Sequence, residues 1–129
     1  MIVDSSVLVA ILFNEPEAQE FLTLLMQEPA SMSAANYFEA GMVVDRKTLD
    51  EIPRRAFDTL VETSALQIVD VTRSQAEAAR AAHRRFGKGN HPAQLNFGDC
   101  FAYALAKQTG EPLLFKGNDF SQTDIVSAV

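Results

Sequence analysis

The 129-residue chain is poor in cysteine, in histidine and in long apolar runs. Each shortage removes a class of answer. The single Cys100 cannot form an internal disulfide, which fits a reducing compartment. One thiol and two imidazoles cannot build a soft-ligand zinc site without several further partners. No stretch approaches the ~18 consecutive apolar residues of a membrane helix, and the N-terminus lacks the basic start of a secretory signal. The expected location is the cytoplasm. Positive charge is also short: 11 Lys and Arg against 17 Asp and Glu leave a net charge of −6, which argues against a broad basic nucleic-acid face. Internal repeats, low-complexity segments and linkers are missing, so residues 1–129 read as a single domain. With 47% apolar residues it can build a full core.

What is present is alternation. Short strand-like stretches occur at Met1–Val3, Ser31–Met32, Gln67–Val69, Leu113–Phe115 and Ile125–Val126, with helical patterns between them. That order implies a parallel α/β sheet of four to five strands with crossover helices. Helices are expected over about Ser6–Leu12, Glu15–Gln27 with Pro16 in its first turn, Ala34–Arg46 capped by Ser33, and Asp50–Glu62. Ser74-Gln75-Ala76-Glu77 has the form of a capping box and predicts a helix starting there and closing at Gly87. Asn96 can cap a last long helix, Phe97–Lys107, ended by Gly110.

Four acids fall at telling places. Asp4 follows the first strand directly, and in open α/β sheets ligands bind outside the carboxyl ends of the strands, where strand order reverses. Asp119 follows the fourth strand. Asp99 opens the helix that leads into that strand, and Glu39 lies one to two turns into the helix after the second. Each has an ordinary alternative. Asp4 can cap the first helix, Glu39 can be a solvated helical residue, Asp99 can answer the helix dipole, and Asp119 can form an Asx-turn. If the four converge, their repulsion raises their own pKa values or recruits a cation. An all-oxygen donor set selects Mg²⁺ or Mn²⁺. Such an ion lowers the pKa of bound water and offsets charge at a phosphoryl centre, with no catalytic histidine required.

The positive charge is uneven. Between Ala78 and Gly98 stand Arg80, Arg84, Arg85 and Lys88 with no acid, either a contact surface for phosphates or a solvated helix face.

The stretches Met1-Ile2-Val3-Asp4-Ser5-Ser6, the helical Glu39, His91 through Ala106 around Asp99, and Pro112 through Phe120 around Asp119 resemble, in order and spacing along the whole chain, the PIN-domain ribonucleases, and among them the VapC toxins of bacterial toxin–antitoxin pairs. The resemblance implies a three-layer α/β/α fold and a metal-dependent endoribonuclease. Asp4, Glu39, Asp99 and Asp119 would be its acidic quartet, with Asp4 and Asp99 the firmest ligands of Mg²⁺ or Mn²⁺. Ser6 would orient a ligand or water, with Asn118 and Asp124 as supporting groups. It further implies hydrolysis of RNA involved in translation, leaving a 5′-phosphate and a 3′-hydroxyl, a homodimer, and silencing by a cognate VapB-type antitoxin that docks a helical tail on an apolar groove. Two other readings stay open. A phosphoacceptor receiver domain has similar length and layering, but it needs paired acids after the first strand where Ser5 and Ser6 stand. A catalytically silent binding module would keep the fold without the chemistry.

Overall fold

The computed structural model describes all residues from Met1 to Val129. The elements run β1 (Ile2–Val3), α1 (Ser5–Leu12), α2 (Ala18–Gln27), β2 (Ser31–Ser33), α3 (Ala34–Lys47), α4 (Glu51–Thr63), β3 (Gln67–Val69), α5 (Arg73–Phe86), α6 (Phe97–Thr109) and β4 (Leu113–Leu114), followed by a short 3₁₀ turn, Asp119–Gln122. The four strands are all parallel, in the order β3-β2-β1-β4. The chain moves from β1 out to β3 and then returns to the far side of β1. The reversal therefore lies between β1 and β4, and the crevice at their carboxyl ends is the favoured ligand position.

The sheet is narrow, and its pleat divides the core. Ile2 and Leu113 face one side, packed with Ala79, Ala82 and Phe86 of α5 and with Ala102 and Leu105 of α6. Val3, Met32 and Leu114 face the other, packed with Val7 and Leu8 of α1, Phe21 and Leu25 of α2, Val44 of α3 and Phe57 of α4. Strands buried on both faces read as unbroken apolar runs, as Ile2-Val3 and Leu113-Leu114 do. The result is three layers, α/β/α. No helix is long and apolar enough to cross a membrane.

Three local expectations shift. The second helix starts at Ala18, three residues later than expected, because Pro16 and Glu17 form a turn ahead of it. The stretch Ile125–Val126 does not extend into a fifth strand; one parallel bridge, Leu113 to Ser127, is all that pairs beside β4. The cap of α5 is Thr72, whose side chain accepts from the Gln75 amide at 3.1 Å. Ser74 and Glu77 are engaged elsewhere: the Ser74 hydroxyl accepts from Gln108 Nε2, and Glu77 pairs with Arg73 one turn back.

Candidate active site

The site forms where the β1 and β4 ends meet the first turns of α1 and α6. Asp4 is the N-cap of α1, and its Oδ2 accepts from the Ser6 amide at 3.0 Å. The capping reading holds, and it occupies only one of the two carboxylate oxygens. Oδ1 of Asp4 is buried and has no hydrogen-bond partner. Asp99 repeats the pattern on α6. Asn96 Oδ1 accepts from the Asp99 amide at 2.9 Å, and Asp99 Oδ2 accepts from the Asn96 amide at 3.0 Å, a complete capping box. Oδ1 of Asp99 takes no hydrogen bond from the protein.

Glu39 reaches in from α3. Ser5 Oγ donates to its Oε1 at 2.5 Å, and Asn36 Nδ2 lies 3.4 Å from the same oxygen. The other oxygen, Oε2, lies against the backbone of Gly98, where a Cβ would overlap the carboxylate. Three acids from three helices thus each hold one oxygen fixed by the protein and leave the other free.

Asp119 opens the 3₁₀ turn after β4 and is exposed. The turn is anchored by Phe120, which is buried edge-on against Phe115 with ring centroids 5.0 Å apart. Asn118 beside it is exposed, and its carbonyl accepts from the Ser121 amide. The Ser6 hydroxyl accepts from the Lys116 amide at 3.0 Å, tying α1 to the end of β4.

The electrostatics record the convergence. Burial pushes the Asp99 carboxyl up to about 7, with Asp4, Asp119 and Glu39 each adding to the rise. Burial also raises Asp4, and the Glu39 charge raises it further, against the lowering effect of the Ser6 hydrogen bonds. The four acids therefore share one electrostatic environment. They are not drawn into a finished cage: no three of them stand close enough to enclose an ion. The donor set itself, all carboxylate with a buried orphan oxygen on Asp4, fits a hard divalent ion.

The remaining sequence candidates lie outside this cluster. The Asp124 carboxylate is taken up by the Tyr103 hydroxyl at 2.6 Å, Lys107 at 3.1 Å and Arg85 at 3.6 Å. Arg80, Arg84 and Arg85 are exposed along α5, and Lys88 is exposed in the loop that follows. Ser5, Asn36 and Gly98 were not singled out from the sequence. A signal existed for two of them. Asn36 precedes Glu39 by three residues and so shares its helix face, and a glycine in the first turn of α6 marks a close approach.

Comparison with known proteins decides the family. The PIN domain model matches residues 1–126. The chain belongs to the PIN-domain family. Within that family it is similar over its full length to the VapC ribonucleases. It is 45% identical to ribonuclease VapC30 of Mycobacterium tuberculosis over 98% of this chain and 97% of that protein. It is 44% identical to a ribonuclease VapC of Mycolicibacterium smegmatis, over 98% of each. Among solved structures, the M. tuberculosis VapC20 toxin, described as cleaving the sarcin-ricin loop, superposes with a TM-score of 0.79 at 18% identity, covering 98% of this chain and 97% of that one. A toxin–antitoxin complex from Klebsiella pneumoniae gives 0.72 at 18% identity, over 98% and 95%. These two likenesses show that the fold is shared across distant sequences.

Proposed function

We propose that this PIN domain is a divalent-metal-dependent endoribonuclease of the VapC kind, hydrolysing phosphodiester bonds in RNA involved in translation. The observation that carries the reading is the shared arrangement of Asp4, Glu39 and Asp99. Each keeps one oxygen pinned and one free, beside the strand-order reversal, with Asp119 adding its charge from the β4 side. The Asp4 and Asp99 carboxyls are raised by burial and by neighbouring acids, with no cationic partner to offset the charge, a cost to the fold that a ligand explains better than structure alone.

Asp4 and Asp99 would hold Mg²⁺ or Mn²⁺, with Glu39 and Asp119 contributing directly or through water. The bound ion would supply an activated water and offset charge on the phosphoryl oxygens. The chain's own part is positional. The Ser6 amide and the Asn96 amide fix the Asp4 and Asp99 carboxylates at their helix starts. Ser5 and Asn36 fix Glu39. The Ser6 hydroxyl, an acceptor from Lys116, keeps its own proton for a nearby water or phosphate oxygen. Asn118 stands beside Asp119 on the same turn, and Asp124 steadies α6 through Tyr103. Arg80, Arg84, Arg85 and Lys88 would track the RNA backbone. In-line hydrolysis leaves a 5′-phosphate and a 3′-hydroxyl, with no role for the 2′-hydroxyl as nucleophile.

Full-length kinship to VapC ribonucleases supports a cognate VapB-type antitoxin as partner, and a homodimer as the working form. An anionic pocket suits an arginine from such a partner, since a guanidinium can stand in for the cation's charge.

The test is mapping of RNA 5′-ends after brief expression, with Asp99→Asn as control. New 5′-phosphate ends at a few sites in translation-related RNA, absent from the control, are expected. Identical ends in both samples would overturn the reading.

A further inference from the structure

Asn36 is fully buried in the first turn of α3, and its side chain joins that helix to the first turn of α6. Its Nδ2 donates to the Gly98 carbonyl at 2.9 Å and lies 3.4 Å from Glu39 Oε1. The orientation of the amide follows from chemistry. Both neighbours are acceptors, so the flipped amide would set its oxygen against two oxygens. Its own Oδ1 is buried without a partner. An unsatisfied buried polar atom destabilises the fold, and an apolar residue of similar size would avoid it. Something other than packing therefore favours asparagine at this position.

We infer that Asn36 is a positioning residue that sets Glu39 in register with the first turn of α6 and thereby directs Glu39 Oε2 toward the cation. This rests on the nuclease reading above. The geometry is specific on three counts. Gly98 immediately precedes Asp99, so the Asn36 bond to the Gly98 carbonyl locks the α6 turn that carries Asp99 to the α3 turn that carries Glu39. Ser5 immediately follows Asp4, and its hydroxyl donates to the same Oε1 at 2.5 Å, so the α1 start is locked to Glu39 as well. Both donors fall on Oε1, which leaves Oε2 without a hydrogen bond and assigns it to the ligand. Gly98 lacks a side chain, and that gap is the space Oε2 occupies. Asn36 and Ser5 thus couple three carboxylates from three helices before any ion arrives. Groups in this relation to a metal ligand typically change metal affinity or activity by about 10–100-fold when removed.

The experiment compares Asn36→Ala, Ser5→Ala and Ser5→Thr with the wild type in two readouts on the purified protein. One is Mn²⁺ affinity by isothermal titration calorimetry, and the other is kcat and KM for RNA cleavage. Expected for Asn36→Ala and Ser5→Ala is Mn²⁺ binding weakened about tenfold. Also expected are kcat lowered by about 10–100-fold at limiting Mn²⁺ and partly restored by excess, and an unchanged KM for RNA. Ser5→Thr, which keeps the hydroxyl, should match the wild type. Wild-type Mn²⁺ affinity and kcat in folded Asn36→Ala overturn the inference while leaving the nuclease reading intact. If Asn36→Ala fails to fold, Asn36→Ser, a small polar side chain too short to bridge Glu39 and the Gly98 carbonyl, decides by the same criteria. A wild type that neither binds Mn²⁺ nor cleaves RNA overturns the nuclease reading and this inference together.

Discussion

The α-carbon of Gly98 lies against the carboxylate of Glu39, so that one added methyl would overlap its oxygens. The obstructing atoms are the end of a flexible side chain, and Gly98 sits in helical backbone where alanine is favoured by roughly 0.5–1 kcal/mol. Gly98→Ala should therefore keep the fold, with a melting temperature within a few degrees of wild type. Glu39 must swing away, and RNA cleavage should fall at least tenfold. A calorimetric scan and an initial-rate assay on one preparation check both halves.

Removing a charge from the cluster should stabilise the protein while disabling it. Asp99 is crowded by Asp4, Glu39 and Asp119, and Asp99→Asn relieves that repulsion without changing size. In EDTA at pH 8 the variant should unfold at higher urea concentration than wild type, yet show no cleavage with Mg²⁺ or Mn²⁺. Active-site groups that work against stability behave this way.

The same cluster fixes the direction of the pH dependence. The folded-state pKa of Asp99 is raised from 3.8 to about 7, and that of Asp4 is also raised. The folded protein then binds more protons than the unfolded chain between about pH 4 and 7, so stability falls as pH rises through that window. The contribution is complete below the unfolded pKa and gone above the folded one. Urea midpoints in EDTA should therefore fall from pH 5 to pH 8 by more than those of Asp99→Asn. Added Mn²⁺ should narrow the gap most at pH 8, where the carboxylates are ionised.

Much of this site was legible before folding. Asp4 at a strand end and Asp99 three residues after Asn96 carry their local geometry in sequence, since an N-cap and a capping box are short-range motifs. Ser5, Asn36 and Gly98 escaped because what they do is long-range: Ser5 reaches 34 positions away and Asn36 reaches 62. The start of α5 was misplaced because two overlapping patterns compete. Thr72-Arg73-Ser74-Gln75 fits the capping form as well as Ser74-Gln75-Ala76-Glu77 does, and only the third dimension gives Ser74 to Gln108 and Glu77 to Arg73. The missing fifth strand has a similar cause. Ile125–Val126 has strand chemistry, but beside the two-residue β4 only a single bridge forms.

Asp124 separates stability from chemistry. Its carboxylate accepts from the Tyr103 hydroxyl and pairs with Lys107, on a stretch that packs against α6 rather than among the free carboxylate oxygens. Asp124→Ala leaves the Tyr103 hydroxyl without its acceptor and should cost about 1 kcal/mol, seen as a lower urea midpoint. Cleavage per folded molecule should stay within about threefold.

The basic stripe should act on binding alone. Arg80, Arg84 and Lys88 are exposed, and phosphate contacts of this kind supply salt-dependent, sequence-independent affinity. The triple alanine variant should raise KM for RNA with kcat unchanged, the pattern of uniform binding loss. The dependence of log KM on log salt should flatten by about one unit of slope for each contact removed.

Cleavage of an end-labelled structured RNA by the purified protein, with Mn²⁺ supplied or chelated and Asp4→Asn beside the wild type, tests the central claim most directly. The account predicts discrete fragments with 5′-phosphate ends from the wild type with Mn²⁺, none after chelation, and none from Asp4→Asn under either condition. Equal cleavage by Asp4→Asn, or undiminished cleavage by the wild type in EDTA, would contradict it.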